Sequence, residues 1–291
     1  MRNQPPATTG LPGLDAVLSG IEPGDNIVWE VDAIADYQEF VSPYVAAAQA
    51  AGRHLVYFRF ADHPPLLARG SSTEQHDLDP ARGFEAFVRD VHAVIEAAGR
   101  GTLYVFDCLS HLADMWGSDQ SLGNFFQLTC PRLLDLETVT YFGIYRDRHS
   151  AYAVEPIRGT TQFMLDVFRL DGRLYIRPVK VQYRSREVMN TLHVRSGEQF
   201  RPVKESAVLA PILSHTNGRA CRATSAAATG GGCSARPRRW PRKTARAAAR
   251  RSDWKKRCGG SVGRCGCIGP ASPGWPNASS NSKTTWPSAT A

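Results

Sequence analysis

The chain has 291 residues, 42% of them apolar, with a net charge of +8 and seven Cys. That length accommodates one large or two ordinary domains, and the apolar fraction supports a core, which excludes global disorder. The charge is unevenly placed. Residues 1–216 carry 20 Lys and Arg against 26 Asp and Glu, a net charge of −6, whereas residues 217–291 carry 15 against the single acid Asp253, a net charge of +14.

Asn26–Val31 (NIVWEV) is a short apolar run after the turn residues Glu22-Pro23-Gly24-Asp25, and predicts a buried strand. A helix follows. Asp36 with Glu39 three residues on makes a capping box, and Ser42-Pro43 offers a second start; either way Tyr44–Ala51 is helical and Gly52 ends it. Leu55–Phe60 (LVYFRF) predicts the second strand. Asp79-Pro80 opens the next helix, where Phe84, Phe87, Val88, Val91, Val94 and Ile95 fall on one face before Gly99 stops it. Leu103–Asp107 (LYVFD) is the third expected strand. Leu122–Leu136 is expected to be helical, with Pro131 kinking or dividing it. Thr138–Tyr145 is the fourth strand, and Thr161–Leu170, Asp171-Gly172 and Arg173–Tyr183 read as a hairpin.

Strands separated by helices imply parallel pairing with crossover connections. The expected fold class is therefore α/β, a mainly parallel sheet flanked by helices with a C-terminal β-hairpin, over a domain spanning 1–205. In such sheets ligands gather beyond the carboxyl ends of the strands. That edge is expected to hold Asp32, Ala61-Asp62, Asp107 and Arg146–His149.

Residues 206–216 read as a linker and 217–291 as a disordered basic tail rich in Ala, Arg, Gly, Pro, Ser and Cys, with one Val, one Ile and no Leu, Phe, Tyr or Met. Its arginines and lysines, with Trp240 and Trp254 to stack on bases, make it the only part suited to nucleic acid, through a sequence-independent phosphate contact. The acidic body argues against such contact elsewhere. Cys258, Cys265 and Cys267 lack a CxxC pair and the tail has no His, so no metal is expected. A GC-rich gene read out of frame would also encode this mixture, and the expectation is that the native frame ends near His215–Asn217. MRNQPPATTG has no apolar core of a signal peptide, and no stretch is long and apolar enough to span a membrane. The expected location is cytoplasmic.

Thr9-Gly10-Leu11-Pro12-Gly13-Leu14-Asp15 followed by Leu18-Ser19-Gly20-Ile21-Glu22-Pro23-Gly24-Asp25 resembles the opening of KaiC-like and RadA-like domains of the RecA superfamily, TG(I/L)PGLD…L.GG(I)..G. The likeness runs to about Ser185, where V-K-V-Q-Y-R is similar to that family's last-strand V-K-M-R-G. The family places a P-loop after the first strand, where glycine amides wrap phosphate and a Lys reaches it. Here that place reads Val31-Asp32-Ala33-Ile34-Ala35-Asp36-Tyr37, with no Gly, Lys, Ser or Thr, and with Asp32 and Asp36 set to repel a triphosphate. The family's acidic pair falls on Ala61 and Asp62. Its Walker-B acid falls on Asp107 and its last-strand Lys on Lys180, while Gln182 stands where it has an Arg. The resemblance thus implies a degenerate nucleotide site with Asp32, Asp36, Asp62, Asp107 and Lys180 as remnants. No residue is expected to be catalytic. Asp107 also has a purely structural alternative: a strand-end acid that caps a helix or pairs with an Arg.

The segments N-I-V-W-E-V-D, L-V-Y-F-R-F-A and Y-V-F-D-C-L-S further resemble a KaiC-like N-terminal region found ahead of phosphoenolpyruvate synthase or pyruvate phosphate dikinase type domains. That resemblance implies a regulatory or assembly role beside ATP-grasp and phospho-histidine domains, which these residues do not include, and contact with those domains or with further copies of the chain. No cofactor is expected. Two alternatives stay open: a KaiC-like protein binding ATP and Mg²⁺ at an unconventional site, and a nucleic-acid-binding protein acting through the tail. Arg59, Arg146, Arg148 and His149 are candidates for an anion pocket, since arginine forks suit carboxylate or phosphate. Cys108 with His111 lacks a third member and reads as core, and His54 and His63 read as structural or solvated.

Overall fold

A computed structural model of the chain describes residues 6–67, 73–184 and 186–212. The basic tail lies outside these residues. The strands are β1 (Asn26–Val31), β2 (Leu55–Arg59), β3 (Glu74–Asp77), β4 (Leu103–Cys108), β5 (Val139–Tyr145), β6 (Phe163–Leu170), β7 (Arg173–Val181), β8 (His193–Ser196) and β9 (Gln199–Pro202). They form one sheet in the order β3-β2-β4-β5-β1-β6-β7-β8-β9. Neighbours from β3 to β6 pair parallel, and the pairs from β6 to β9 are antiparallel. The α/β class and its mainly parallel sheet are thus as the sequence predicts, and the Asp171-Gly172 hairpin is β6–β7.

The helices are α1 (Pro12–Leu18), α2 (Ile34–Ala50), α3 (Phe84–Ala98), α4 (Ser110–Trp116), α5 (Gln120–Asp135) and α6 (Ala151–Thr160). Side-chain alternation along each strand sorts the core into two layers. Ile27, Trp29 and Val31 of β1 pack with Tyr141 of β5 under α1 and α2. On the other face Val28, Phe106, Phe142 and Met164 pack under α3, α4, α5 and α6. The first layer is held by aromatic stacking: Trp29 on Phe40 with centroids 4.1 Å apart, and Tyr44 on Tyr141 at 4.0 Å. Stacked rings of this kind add roughly 0.5–1.5 kcal/mol beyond the area they bury.

Several boundaries differ from the sequence expectation. α2 begins at Ile34, with Ala33 at its N-cap and no side-chain cap, so the Asp36 capping box is not used and Pro43 lies inside the helix. Seven buried side chains, from Asp36 to Ala48, hold this helix, and that packing outweighs local capping. Pro131 likewise lies within a continuous α5. Residues 206–212, expected as linker, are helical, and Ile212 at their end is 3% exposed against Phe168, Tyr175 and Leu192. Gly99, at φ 76°, ends α3 as expected.

A second glycine is fixed by contact. A Cβ on Gly143 of β5 would sit 2.8 Å from the Tyr37 ring, while the Tyr37 hydroxyl donates to the Phe106 carbonyl at 3.1 Å. The ring cannot retreat without losing that bond. Gly143→Ala is therefore expected to lower unfolding stability by about 1–3 kcal/mol, an overpacking cost, in urea denaturation. Wild-type stability would mean that the ring can move.

Candidate functional site

The sheet defines the site. After β1 the chain enters α2 on one face, and after the neighbouring β5 it enters α6 on the other. Adjacent parallel strands whose connections leave to opposite faces open a crevice at their carboxyl ends. A cleft of about 730 Å³ is found there, a volume suited to a small ligand. Asp32, Ala33 and Ile34 line it from β1–α2, Tyr145–Arg148 from the end of β5, Phe168–Leu170 from β6, with His111 and Ile212 at its sides.

The β1–α2 connection consists of Asp32 and Ala33 alone. A loop of two residues without Gly or Lys leaves no concave run of amides to enclose phosphate. Asp36 does not line the cleft: its side chain is 5% exposed and accepts from Arg169 Nε at 2.7 Å. Asp32 is half-exposed and lies 3.7 Å from Arg146 Nε.

Asp107, near the carboxyl end of β4, is fully buried and committed. Its carboxylate accepts from the Tyr57 hydroxyl, from Arg59 Nη1, and from the amides of Phe60 and Ala61 at 2.9 and 3.0 Å. Burial and the Asp107 charge hold the Tyr57 phenol well above its usual range, so it stays a donor. Arg59 Nη2 also donates to the His63 carbonyl at 2.5 Å, so this candidate anion binder already holds one carboxylate and one carbonyl. His63 is locked too. Its Nδ1 meets the Pro64 carbonyl at 2.7 Å and its Nε2 meets the Cys108 amide at 3.3 Å, which fits a neutral ring with the proton on Nδ1. Asp62 is exposed on the turn between these groups.

Lys180 does not join this edge. β7 runs antiparallel to β6, and Lys180 pairs with Met164, which pairs with Val28 near the start of β1. Its ammonium donates to the carbonyls of Thr161 and Arg158 at the amino end of the parallel strands. A last-strand position in an antiparallel hairpin falls at the opposite edge from the carboxyl ends, so Lys180 is no part of a site with Asp107. Arg184, which was not singled out by sequence, makes a buried pair with Asp25 at 2.7 Å, tying that amino edge to the Pro-Gly-Asp turn.

The Arg146–His149 segment does reach the cleft edge. Arg146 is 7% exposed at its side chain; its Nη2 donates to the carbonyls of Glu30 (3.0 Å) and Val167, and its guanidinium lies 3.9 Å from the Phe168 ring centroid. Arg148 is 57% exposed, with Asp114 at 3.4 Å and the Tyr145 ring beneath it. His149 Nε2 bonds the Ser110 hydroxyl at 2.7 Å, and burial lowers its pKa. Cys108 is fully buried and its thiol is pushed up to about 12, chiefly by burial, which leaves it inert. His54 pairs with Glu74 on the surface. Among the described residues no group of three or more His, Cys, Asp or Glu could hold a metal, and no helix is long and apolar enough to cross a membrane.

Below the cleft, Glu30 of β1 faces Asp166 of β6 in register, and Arg177 holds Asp166, its Nε at 3.0 Å. Burial first, then the Asp166 charge, pushes the Glu30 carboxyl up to about 8. No charge pattern in β1 alone signals this, because Asp166 is 136 residues away in the chain.

No family model and no curated protein matches this sequence.

Two outcomes follow from these contacts. Asp107→Ala strands Arg59, the Tyr57 hydroxyl and two amides, and is expected to cost about 3–5 kcal/mol in chemical denaturation. A loss below about 1 kcal/mol, the size of a surface ion pair, would show that the knot is not structural. Glu30 binds its proton more tightly folded than unfolded, so its contribution is full below its unfolded pKa near 4.5 and is lost as pH rises toward about 8. Glu30→Gln is therefore expected to flatten that fall and to exceed wild-type stability at pH 9, followed by melting temperature against pH. Parallel pH profiles for the two proteins would overturn it.

Proposed function

We propose that the chain is a non-catalytic RecA-like module, serving as the N-terminal regulatory or assembly domain of a phosphotransferase of the phosphoenolpyruvate synthase or pyruvate phosphate dikinase type. The observation that carries this reading is the two-residue β1–α2 connection of Asp32 and Ala33, at the place where the resembled family holds its P-loop. Phosphoryl transfer is positioning plus charge neutralisation, and it needs amide and Lys contacts to the phosphates and an acid free to hold Mg²⁺. Asp107 is occupied by four donors, Asp36 by Arg169, and Lys180 is at the other edge. The opening motif Thr9–Asp15 supports the RecA-like part: Asp15 accepts from the Thr8 hydroxyl and from the Thr9 amide at 2.9 Å, which closes the turn leading into α1. The segments around Trp29, Arg59 and Asp107 support the phosphotransferase part through resemblance alone.

The test is calorimetric titration of the full chain with ATP and Mg²⁺. The expected result is no saturable binding up to about 1 mM, the upper end of ordinary substrate affinities, and no phosphate release. Saturable binding with turnover would overturn the non-catalytic reading. Sequencing the gene beyond codon 216 in all three frames is expected to show an ATP-grasp domain; its absence would remove the phosphotransferase assignment.

A further inference from the structure

The cleft between β1 and β5 is already equipped for a different ligand. We infer that it binds a small oxyanion, a carboxylate or phosphate monoester of metabolite size, held by Arg146 and Arg148. Arg146 is the anchor. Its side chain is 7% exposed, and two carbonyls and the Phe168 ring fix it in place. Yet its Nε has no hydrogen-bond partner among the described residues. A buried guanidinium N–H without an acceptor is costly, and an oxyanion that displaces the Asp32 side chain at the cleft wall would satisfy it. Asp32 is 3.7 Å away, beyond hydrogen-bond range, and half in solvent.

Three further features point the same way. Arg148 lines the cleft at the rim, and its only ion pair among the described residues is an exposed one at 3.4 Å, which costs little to exchange. Arg169 lines the β6 side, turned toward Asp36 and Glu39. Ala33, at the N-cap of the 17-residue α2, lines the cleft and offers no side-chain acceptor to that helix's first turn, whose one acid, Asp36, is held by Arg169. The acids set the limit on charge. Asp32 and Asp147 also line the space and oppose a polyanion, so the ligand carries one oxyanionic group near Arg146 and an uncharged remainder against Phe168, Leu170 and Ile212.

Asp32 therefore competes with the ligand, and this gives the test its sign. The full chain is titrated at fixed ionic strength with inorganic phosphate and, separately, with butyrate, a single carboxylate on an uncharged stem, followed by calorimetry and by melting temperature. Saturable binding of at least one probe is expected. Arg148→Ala is expected to weaken it about tenfold, and Asp32→Asn to tighten it about five- to tenfold. Both positions are solvent-exposed, so both variants should fold, and unchanged melting temperature without ligand checks this. Binding of phosphate alone, or of butyrate alone, assigns the oxyanion to that chemistry. Absence of saturable binding by either probe, or failure of either variant to shift affinity in its stated direction, overturns the inference. A negative result leaves the non-catalytic reading standing, because that reading depends only on how ATP is treated.

Discussion

The β2–β4 half of the carboxyl edge depends on one buried carboxylate. Asp107 is the penultimate residue of β4, whose six residues are all buried, and a carboxylate there needs a full set of donors. It finds them on β2 and the turn beyond it: the Tyr57 hydroxyl, the Arg59 guanidinium and the amides of Phe60 and Ala61. Through Arg59 and His63 the same knot fixes the turn after β2 and the start of the segment leading to α4. The energetic asymmetry of buried ion pairs matters here. Such a pair adds little over an apolar substitute, but losing one partner is expensive, so the knot is rigid and hard to dismantle for chemistry.

The knot and the cleft share an edge but divide it. The knot sits over β2 and β4, the cleft over β5, β1 and β6. In a phosphoryl-transfer site these two regions would act on one substrate, the first supplying a metal-holding acid and the second an amide cradle. Here the acid's lone pairs are spent on Arg59 and backbone, and the cradle is replaced by a direct strand-to-helix step. What the switch point holds is its shape and Arg146, anchored by two carbonyls and the Phe168 ring. Shape without the phosphate machinery favours recognition of something smaller and less charged than a nucleotide.

Much of the sheet was legible in sequence because its strands are buried on both faces and so read as near-continuous apolar runs. Asn26–Val31, Leu55–Arg59 and Leu103–Cys108 emerge within a residue of expectation for that reason. β3, with the sequence Glu-Gln-His-Asp, carries no such run; among the described residues it is an edge strand paired only with β2, and its charges suit an exposed edge. α2 was misplaced at its start because capping residues are a local signal, while Tyr37, Phe40 and Tyr44 commit the helix through tertiary contacts. The placement of Arg146–His149 at the ligand edge was legible from strand order. That Arg146 would be buried with an unpaired Nε was not, because its environment is built by Glu30, Val167 and Phe168, distant in sequence.

Lys180 shows the limit of motif transfer most clearly. Matching a residue to a family position fixes its place along the chain, and the sheet's pairing decides its place in space. An antiparallel return strand reverses direction, so a polar residue near its end lands at the amino edge, beside Thr161 and Arg158, however well its neighbours match. The +8 net charge misleads for a related reason. It sums a tail of +14 with a body of −6, and the body's cleft draws its arginines from local geometry, each balanced by a nearby acid. Selectivity in such a site comes from which acid yields its partner most cheaply. Asp32, half-exposed and out of hydrogen-bond range, yields before the buried Asp36 does, and this directs an incoming anion to Arg146.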